Sequence, residues 1–146
     1  MEKGSIIKTI QELAKQKVES MNKLIHETRN SNNDTKSSMG DKYETGREML
    51  QQEINRLQGQ LNQALELQQT AEKLSDKPSV SLESSALVLT NKGMFFFGIS
   101  LGKVQVNDNM IMCISMDAPL AKALAGKKQG DATVFNNMDF QIIDIF

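Results

Sequence analysis

The stretch that decides the fold is LQQEINRLQGQLNQALELQQTAEKL, residues 50–74. Its apolar side chains recur mostly three or four residues apart, which is the spacing of one face of an α-helix. The residues between them are polar, so we expect a long amphipathic helix from about residue 40 to residue 74. The apolar stripe consists of Leu50, Ile54, Leu57, Leu61, Ala64, Leu65, Ala71 and Leu74.

A similar stripe lies nearer the amino terminus and is interrupted at Lys17. It consists of Ile6, Ile7, Ile10, Leu13, Ala14, Val18, Met21, Leu24 and Ile25. An isolated helix has nothing to cover such a stripe, so we expect the two helices to face each other. Residues 30–38 between them are rich in Asn and Ser, which favour turns. The pattern predicts an antiparallel coiled-coil hairpin whose tip is the segment near residues 28–44.

The composition of the chain changes near Pro78. Residues 1–77 contain 12 basic and 12 acidic side chains and no Phe, whereas residues 78–146 contain 5 basic and 6 acidic side chains and all six Phe. We therefore expect two domains, a helical hairpin over residues 1–77 and a compact sheet domain over residues 78–146.

The sequence of the second domain predicts short strands that are separated by turns. Strands are expected at residues 85–90, 94–101, 104–106, 110–115 and 139–146, and turns at residues 91–93, 107–109 and 136–137. One helix fits residues 119–125, because Pro119 suits a first helical position and Gly126 suits the residue past the end. The predicted fold class is α+β, a coiled-coil hairpin followed by a small antiparallel β-sheet domain with one short helix.

The overall composition of the chain argues against several classes of protein. The chain of 146 residues has a net charge of −1, which argues against a protein that coats DNA or binds anionic membranes. A single cysteine, Cys113, excludes a disulfide framework and a multi-cysteine zinc site. The longest apolar run, residues 110–114, is too short to span a bilayer. We expect a soluble, cytoplasmic protein.

Carboxylates cluster where the second long helix is expected to begin. Asp41 and Glu44 are three residues apart, and Glu48 continues the same helical face one turn later. Acidic residues in a first helical turn also interact favourably with the helix dipole, so capping alone could explain them. At the tip of a hairpin, however, they could enter another molecule's cavity and supply oxygen ligands to a Mg²⁺ ion whose other ligands come from that partner.

Other chemically reactive residues have simpler explanations. His26 has no orienting partner at a recognisable spacing, so we interpret it as a polar helix residue. Cys113 lies within an apolar strand and is expected in the core. Lys122, Lys127 and Lys128 form a small basic cluster, which is either solvated surface or a contact for an acidic partner.

Two segments resemble the bacterial Gre family of transcript-cleavage factors. Residues 114–131, ISMDAPLAKALAGKKQGD, resemble the family's carboxyl-terminal signature I-S-x-x-S-P-L-G-K-A-L-L-G-K-x-x-G-D. Gly40, Asp41 and Glu44 resemble its tip motif G-D-x-x-E. Lys42 and Tyr43 stand where the family usually has Leu and Ser, and residues 45–48, TGRE, replace a usual Asn-Ala-Glu-Tyr run.

The resemblance implies an accessory factor for bacterial RNA polymerase, with no enzyme activity of its own. An FKBP-like carboxyl-terminal domain would dock at the polymerase, with Ser115, Pro119, Leu120, Lys122 and Lys127 as partner-binding residues. The coiled coil would enter the secondary channel, where Asp41 and Glu44 would help to hold a catalytic Mg²⁺ while the polymerase hydrolyses backtracked RNA. Such a factor would be a monomer that contacts the RNA 3′ end only indirectly, without recognising a DNA sequence or a membrane.

Three alternatives stay open at this point. The departures around Glu44 favour a channel-binding regulator or inhibitor that does not stimulate cleavage. An FKBP-like half could instead act as a peptidyl-prolyl isomerase, although six Phe and no Trp make an aromatic-lined pocket hard to build. The helical half alone would also suit a plain coiled-coil interaction protein.

Overall fold

The structure, a computed structural model, describes the backbone of residues 2–35 and 44–146 and the side chains of residues 2–30 and 46–146. Two long helices come first, α1 (Lys3–Thr35) and α2 (Glu44–Glu72). The rest of the described chain forms strands and one short helix. These are β1 (Leu87–Thr90), β2 (Gly93–Phe97), β3 (Gly102–Val106), β4 (Asn109–Ile114), α3 (Pro119–Leu124), β5 (Ala132–Phe135) and β6 (Met138–Ile145). The predicted α+β class is confirmed.

The chain divides into two compact units. One, the helical unit, is Leu13–Gln68, and the other, the sheet unit, combines Met1–Glu12 with Gln69–Phe146. The ends of the two long helices therefore group with the sheet. The domain boundary at residues 77 and 78, which rests on composition, stays a prediction.

The apolar stripes of the helical unit are largely buried. Ala14, Val18 and Ile25 of α1 are buried, and so are Ile54, Leu57 and Ala64 of α2. Since the described part of this unit consists of these two helices, we infer that the stripes cover each other, as predicted. Leu24 and Leu65 differ from the prediction, because they are 43% and 38% exposed.

The first helix is longer than the sequence predicts. Residues 30–35 were expected in the turn, but α1 continues through Thr35. The low helix propensity of Asn and Ser costs only a few tenths of a kcal/mol per residue. Extending an existing helix adds a hydrogen bond for each residue fixed, and this outweighs the propensity term.

The sheet has six strands in the order β3-β4-β2-β1-β6-β5. All neighbouring pairs are antiparallel except β2 and β4, which are parallel, with Phe96 opposite Cys113. The sheet is therefore mostly antiparallel, as predicted, with this one parallel pair. Parallel neighbours require a crossover connection, and β3 with its flanking loops forms it.

Strand ends also differ from the predicted ones. The strand expected over residues 94–101 ends at Phe97, because Gly98 has a φ of 123° and leaves the extended conformation. Strand β5 was not predicted at all. The predicted turns are present, since Asn107, Asn136 and Asn137 all have positive φ.

One face of the sheet carries a continuous apolar core beneath α3. Val88, Phe97, Phe140 and Ile142 lie on this face and pack with Leu82, Ala86, Ala121 and Leu124. Between Leu89 and Thr90 the pairing with β6 shifts by one residue, so Ile143 is an extra, bulged residue. The bulge lets both Ile142 and Ile145 face the same core, while Ile143 is 48% exposed.

The opposite face of the sheet is also buried. It carries Leu87, Phe96, Val104, Ile111 and Cys113. The first turns of α1 belong to the same unit and contribute Ile6, Ile7 and Ile10, which are also buried.

Candidate functional site

In the sequence, the candidate metal-binding carboxylates lie just before α2 and in its first turns. Helix α1 ends at Thr35 and α2 begins at Glu44, so the motif Gly40–Glu44 occupies the end of this connection in the chain. Gly40 and Asp41 lie outside the described residues. Glu44 is the first residue of α2, and its side chain is also outside the described part. Glu48, one turn later, is exposed to solvent.

The start of α2 is an electrostatically favourable place for carboxylates. The first backbone N–H groups of a helix have no intrahelical partner, and the helix dipole favours negative charge there. Arg47 is exposed on the same turn, between Glu44 and Glu48 in sequence. A metal ion at this end would compete with that guanidinium for the carboxylates. Carboxylate oxygens are the donors that Mg²⁺ prefers, so the residue types of the motif fit the ion.

The helical unit has the length and packing to position this end. From Glu44 to Gln68, α2 rises by about 36 Å at 1.5 Å per residue. Leu57 and Ile54 near the middle are 1% and 4% exposed, so the seam is closely covered. On the outer surface Arg56 Nε donates to Glu53 Oε2 at 3.0 Å, and Arg56 Nη2 donates to Glu53 Oε1. These hydrogen bonds lower the pKa of Glu53 and raise that of Arg56.

The signature segment forms the connection from β4 to β5. Ser115 directly follows β4, and its Oγ accepts a hydrogen bond from the Asp117 backbone N at 3.2 Å. Its carbonyl accepts from the Ala118 backbone N at 3.1 Å. Ser115 therefore shapes the turn that leads into α3.

The short helix of the signature starts at the predicted residue and ends at Leu124, one residue before the predicted end. Pro119 is its first residue, and the preceding Ala118 offers no side-chain cap. Ala118 stands where the family signature has Ser, whose hydroxyl would be a natural N-cap. Leu120 is half-buried against the apolar core, and Gly126 follows the helix with a φ of 75°.

The second half of the signature is held by local hydrogen bonds and by a backbone hydrogen bond to the segment that precedes β1. Leu82 N donates to Lys127 O at 2.8 Å, and Lys127 N donates to Leu124 O at 3.0 Å. The carboxylate of Asp131 accepts from the Lys128 backbone N at 2.8 Å. Glycine, proline and aspartate of the signature therefore have structural roles in this loop.

Two lysines of the signature differ in accessibility. Lys122 is exposed in the last turn of α3, where the helix dipole favours a positive charge, and Lys127 is half-buried. Of the five predicted partner-binding residues, Pro119 and Lys122 are the exposed ones. All five residues lie on the single stretch of chain that connects β4 to β5. They are Ser115, Pro119, Leu120, Lys122 and Lys127.

The simpler explanations of the other reactive residues hold. Cys113 is buried, and burial raises the pKa of its thiol to about 12, so the nucleophilic thiolate is scarce at neutral pH. His26 is exposed on α1.

The phenylalanine rings of the sheet unit pack against one another. Phe97 and Phe140 are buried, and the ring centroid of Phe95 lies 6.1 Å from that of Phe97 and 6.3 Å from that of Phe140.

Sequence reasoning missed one polar cluster, around Lys3. Its ammonium group is buried and donates to Lys77 O at 2.7 Å, to Phe146 O at 3.1 Å and to Ser79 Oγ at 3.2 Å. Loss of hydration lowers the pKa of Lys3, and the negative charges of Glu83 and Asp76 oppose that shift. No local sequence signal could reveal the cluster, because Lys77, Ser79 and Phe146 lie 74, 76 and 143 residues away.

Two features are absent from the described residues, a cluster of metal ligands and a helix that could cross a membrane. These residues contain no group of three or more His, Cys, Asp or Glu side chains placed to hold a metal ion. In the same parts of the chain, none of the helices combines the length and the apolarity that crossing a membrane requires.

Comparison with solved structures gives a consistent set of similar chains. Three of these chains are structures of Gfh1. One, described as the transcription factor Gfh1, is 19% identical over 94% of both chains, with a TM-score of 0.42. The Gfh1 of Thermus thermophilus, described as GreA factor homolog 1, is 18% identical over 95% of this chain and 96% of that chain, with a TM-score of 0.40. The Thermus aquaticus Gfh1 is 18% identical over 94% of both chains, with a TM-score of 0.38.

No protein-family model matches the sequence, and no curated protein is significantly similar to it.

Proposed function

We propose that this protein is a Gre-like elongation factor that binds bacterial RNA polymerase in its secondary channel and stimulates cleavage of backtracked RNA. The observation that carries the proposal is the position of the tip motif. Its glutamate, Glu44, is the first residue of α2, and the rest of the motif lies in the connection after α1. A seam of buried aliphatic side chains holds the helices that flank it.

Asp41 and Glu44 are the residues that would hold the metal ion. A bound Mg²⁺ would neutralise charge on the phosphoryl group and activate a water. Two carboxylates fill only part of an octahedral oxygen shell, so this chain would contribute ligands that act only beside those of the polymerase. The protein would then be an accessory factor, and the polymerase would carry out the hydrolysis.

The carboxylates are tested on polymerase stalled in a backtracked state. Adding the wild-type protein should release short RNAs, and Asp41→Asn or Glu44→Gln should reduce the release rate by about 100-fold or more, because a neutral amide is a poor Mg²⁺ ligand. Binding to polymerase, measured separately, should not change. The matched control is Glu72→Gln, an exposed carboxylate at the other end of α2. Unaltered RNA release by both tip variants would overturn the assigned roles.

The signature segment is the proposed docking surface. Lys122 is exposed and unpaired with any carboxylate among the described side chains. Lys122→Glu should therefore slow association with polymerase by about threefold to tenfold, and the effect should shrink as salt rises. Lys92→Glu, an exposed lysine in the β1–β2 turn, is the matched control. Equal association by both variants would place docking elsewhere.

A second candidate function is that of a regulator that binds RNA polymerase but does not stimulate RNA cleavage. Lys42, Tyr43 and residues 45–48 depart from the family pattern around the tip carboxylates. Lys42 and Arg47 would add positive charge next to those carboxylates and compete with a metal ion. A protein that binds polymerase and changes its activity without any release of RNA would be such a regulator.

A further inference from the structure

The ends of the two long helices that belong to the sheet unit are bonded to each other. These helix bases are residues 3–12 of α1 and 69–72 of α2. Gln11 Nε2 donates to Ala71 O at 3.0 Å, from one base to the other. This hydrogen bond joins the two helices at the same end.

The chain that leaves α2 is bonded to the sheet through Ser85. Ser75 N donates to Ser85 Oγ at 3.0 Å, and Ser85 N donates to Phe97 O, at the end of β2, at 2.7 Å. Ser85 is buried and has a φ of 70°, a conformation that a residue other than glycine keeps only where its surroundings hold it. The base of α2 is therefore followed at once by an attachment to the sheet.

Lys3, the first residue of α1, joins two further segments of the same unit. Its buried ammonium group donates to Lys77 O and Ser79 Oγ, between α2 and β1, and to Phe146 O, after β6. An ammonium group has three N–H donors, and here each donor has one oxygen acceptor. Lys3 therefore attaches the start of α1 to the segment that leaves α2 and to the end of β6.

The acceptors around Lys3 suit an ammonium group specifically. Hydrogen bonds from a charged donor are roughly twice as strong as those between neutral groups, and the negative charges of Glu83 and Asp76 favour the charged form of Lys3. An uncharged side chain would leave the three oxygen atoms without their donor. The planar fork of an arginine matches a carboxylate better than three separate oxygens.

The length of α2 makes its first residue sensitive to any movement of its base. The rise from Glu72 to Glu44 is about 42 Å at 1.5 Å per residue, so a tilt of about 5° at Glu72 would move Glu44 by about 4 Å. A misplacement of about 1 Å in a reacting group can lower a rate by about 100-fold. Chemistry at the tip motif therefore requires that the helix bases be held in place.

We propose that Lys3 is a positioning residue: its ammonium group holds the helix bases to the sheet, so that the two helices present Asp41 and Glu44 to the metal ion in the polymerase. Lys3 is buried, so it acts only through the helices. The inference rests on the proposed function and deepens it. Docking is assigned to another segment, around Lys122, and does not depend on Lys3.

The dependence of RNA release on protein concentration separates positioning from docking. Lys3→Met removes the three donors, so the maximal release rate from backtracked polymerase should fall by about tenfold or more, while the half-maximal protein concentration stays within about twofold. Lys8→Met, at an exposed lysine of the same helix, is the matched control and should change neither value. A wild-type maximal rate with Lys3→Met, or a change in the half-maximal concentration alone, would overturn the proposal.

Ser79→Ala covers the case in which Lys3→Met does not fold. It removes one of the three acceptors and leaves the other two, so the maximal rate should fall by about threefold at an unchanged half-maximal concentration. A maximal rate equal to that of the wild type in this variant would also contradict the role of Lys3.

A distance measurement within the sheet unit gives a readout without polymerase. Spin labels at Glu12→Cys and Lys92→Cys, two exposed positions, report how firmly the base of α1 is held, and the buried Cys113 stays unlabelled. We expect one narrow distance distribution, which Lys3→Met broadens and Lys8→Met leaves unchanged. An unchanged distribution with Lys3→Met would overturn this inference even where the wild type releases RNA. Absence of RNA release by the wild type would instead refute the proposed function, and the positioning role with it.

Discussion

At the scale of single residues, local sequence signals predicted the ends of elements, whereas contacts between residues far apart in the sequence could not be predicted. Pro119 starts α3, and Gly126, which has a positive φ, lies two residues after the end of the helix at Leu124, as their backbone preferences indicate. Lys3 carries no such signal, because its three hydrogen-bond partners are far away in sequence. The roles of Asp41 and Glu44 rest on the resemblance and on their place in the chain, and they stay predictions.

Cys113 gives a prediction for a single residue. Because burial raises its pKa from the usual 9.0 to about 12, the thiolate fraction at pH 8 falls by about 1,000-fold. Alkylation by iodoacetamide at pH 8 should therefore be slow in the folded protein and fast in denaturant. Folded protein that reacts as fast as the unfolded chain would contradict the burial.

The raised pKa of Cys113 also makes the stability of the folded protein depend on pH. The folded state holds the thiol proton more tightly than the unfolded state, so the contribution of Cys113 is fully present below pH 9.0. It is lost as pH rises from 9.0 toward 12. Replacement by Ser or Ala should remove this part of the pH dependence.

At the scale of elements, long periodic segments were predictable and short edge strands were not. The seam residues Leu57 and Ile54 follow from helical spacing. Strand β5 was missed because its four residues, ATVF, are too few to show an alternation of polar and apolar side chains in the sequence. Phe96 lies opposite Cys113 in a parallel pair, and strand order of this kind depends on the packing of the whole sheet, which no local pattern records.

Two glycines give opposite predictions for their elements. A Cβ at Gly59 of α2 would meet no atom within 4 Å, so Gly59→Ala should raise the free energy of unfolding by about 1 kcal/mol through helix propensity. At Gly98 the φ is 123°, and a Cβ would lie 2.9 Å from Ser84 Oγ and 3.1 Å from Ser85 N. Gly98→Ala should therefore lower the free energy of unfolding by about 1–3 kcal/mol.

Urea denaturation of both variants beside the wild type measures the difference. A destabilised Gly59→Ala would mean that the glycine has a packing or conformational role in α2 that the described structure lacks. An unchanged Gly98→Ala would contradict the close approach of the chain at that position.

At the scale of the whole molecule, the proposed function depends on two separate sets of residues. The signature residues form one connection of the sheet unit, in which Lys122 is exposed to solvent. The tip motif ends at the first residue of α2. Docking and metal binding are thus assigned to different segments, and variants can separate them. The FKBP-like character of the sheet domain stays a prediction from the resemblance.

The central claim is that Asp41 and Glu44 supply ligands to a catalytic Mg²⁺. The most direct measurement is the rate of RNA release from backtracked polymerase as a function of Mg²⁺ concentration, at saturating protein. The account predicts that the wild type lowers the Mg²⁺ concentration needed for half-maximal release, and that Asp41→Asn abolishes this shift although it still binds. The same Mg²⁺ dependence with wild type, with Asp41→Asn and with no protein added would contradict it.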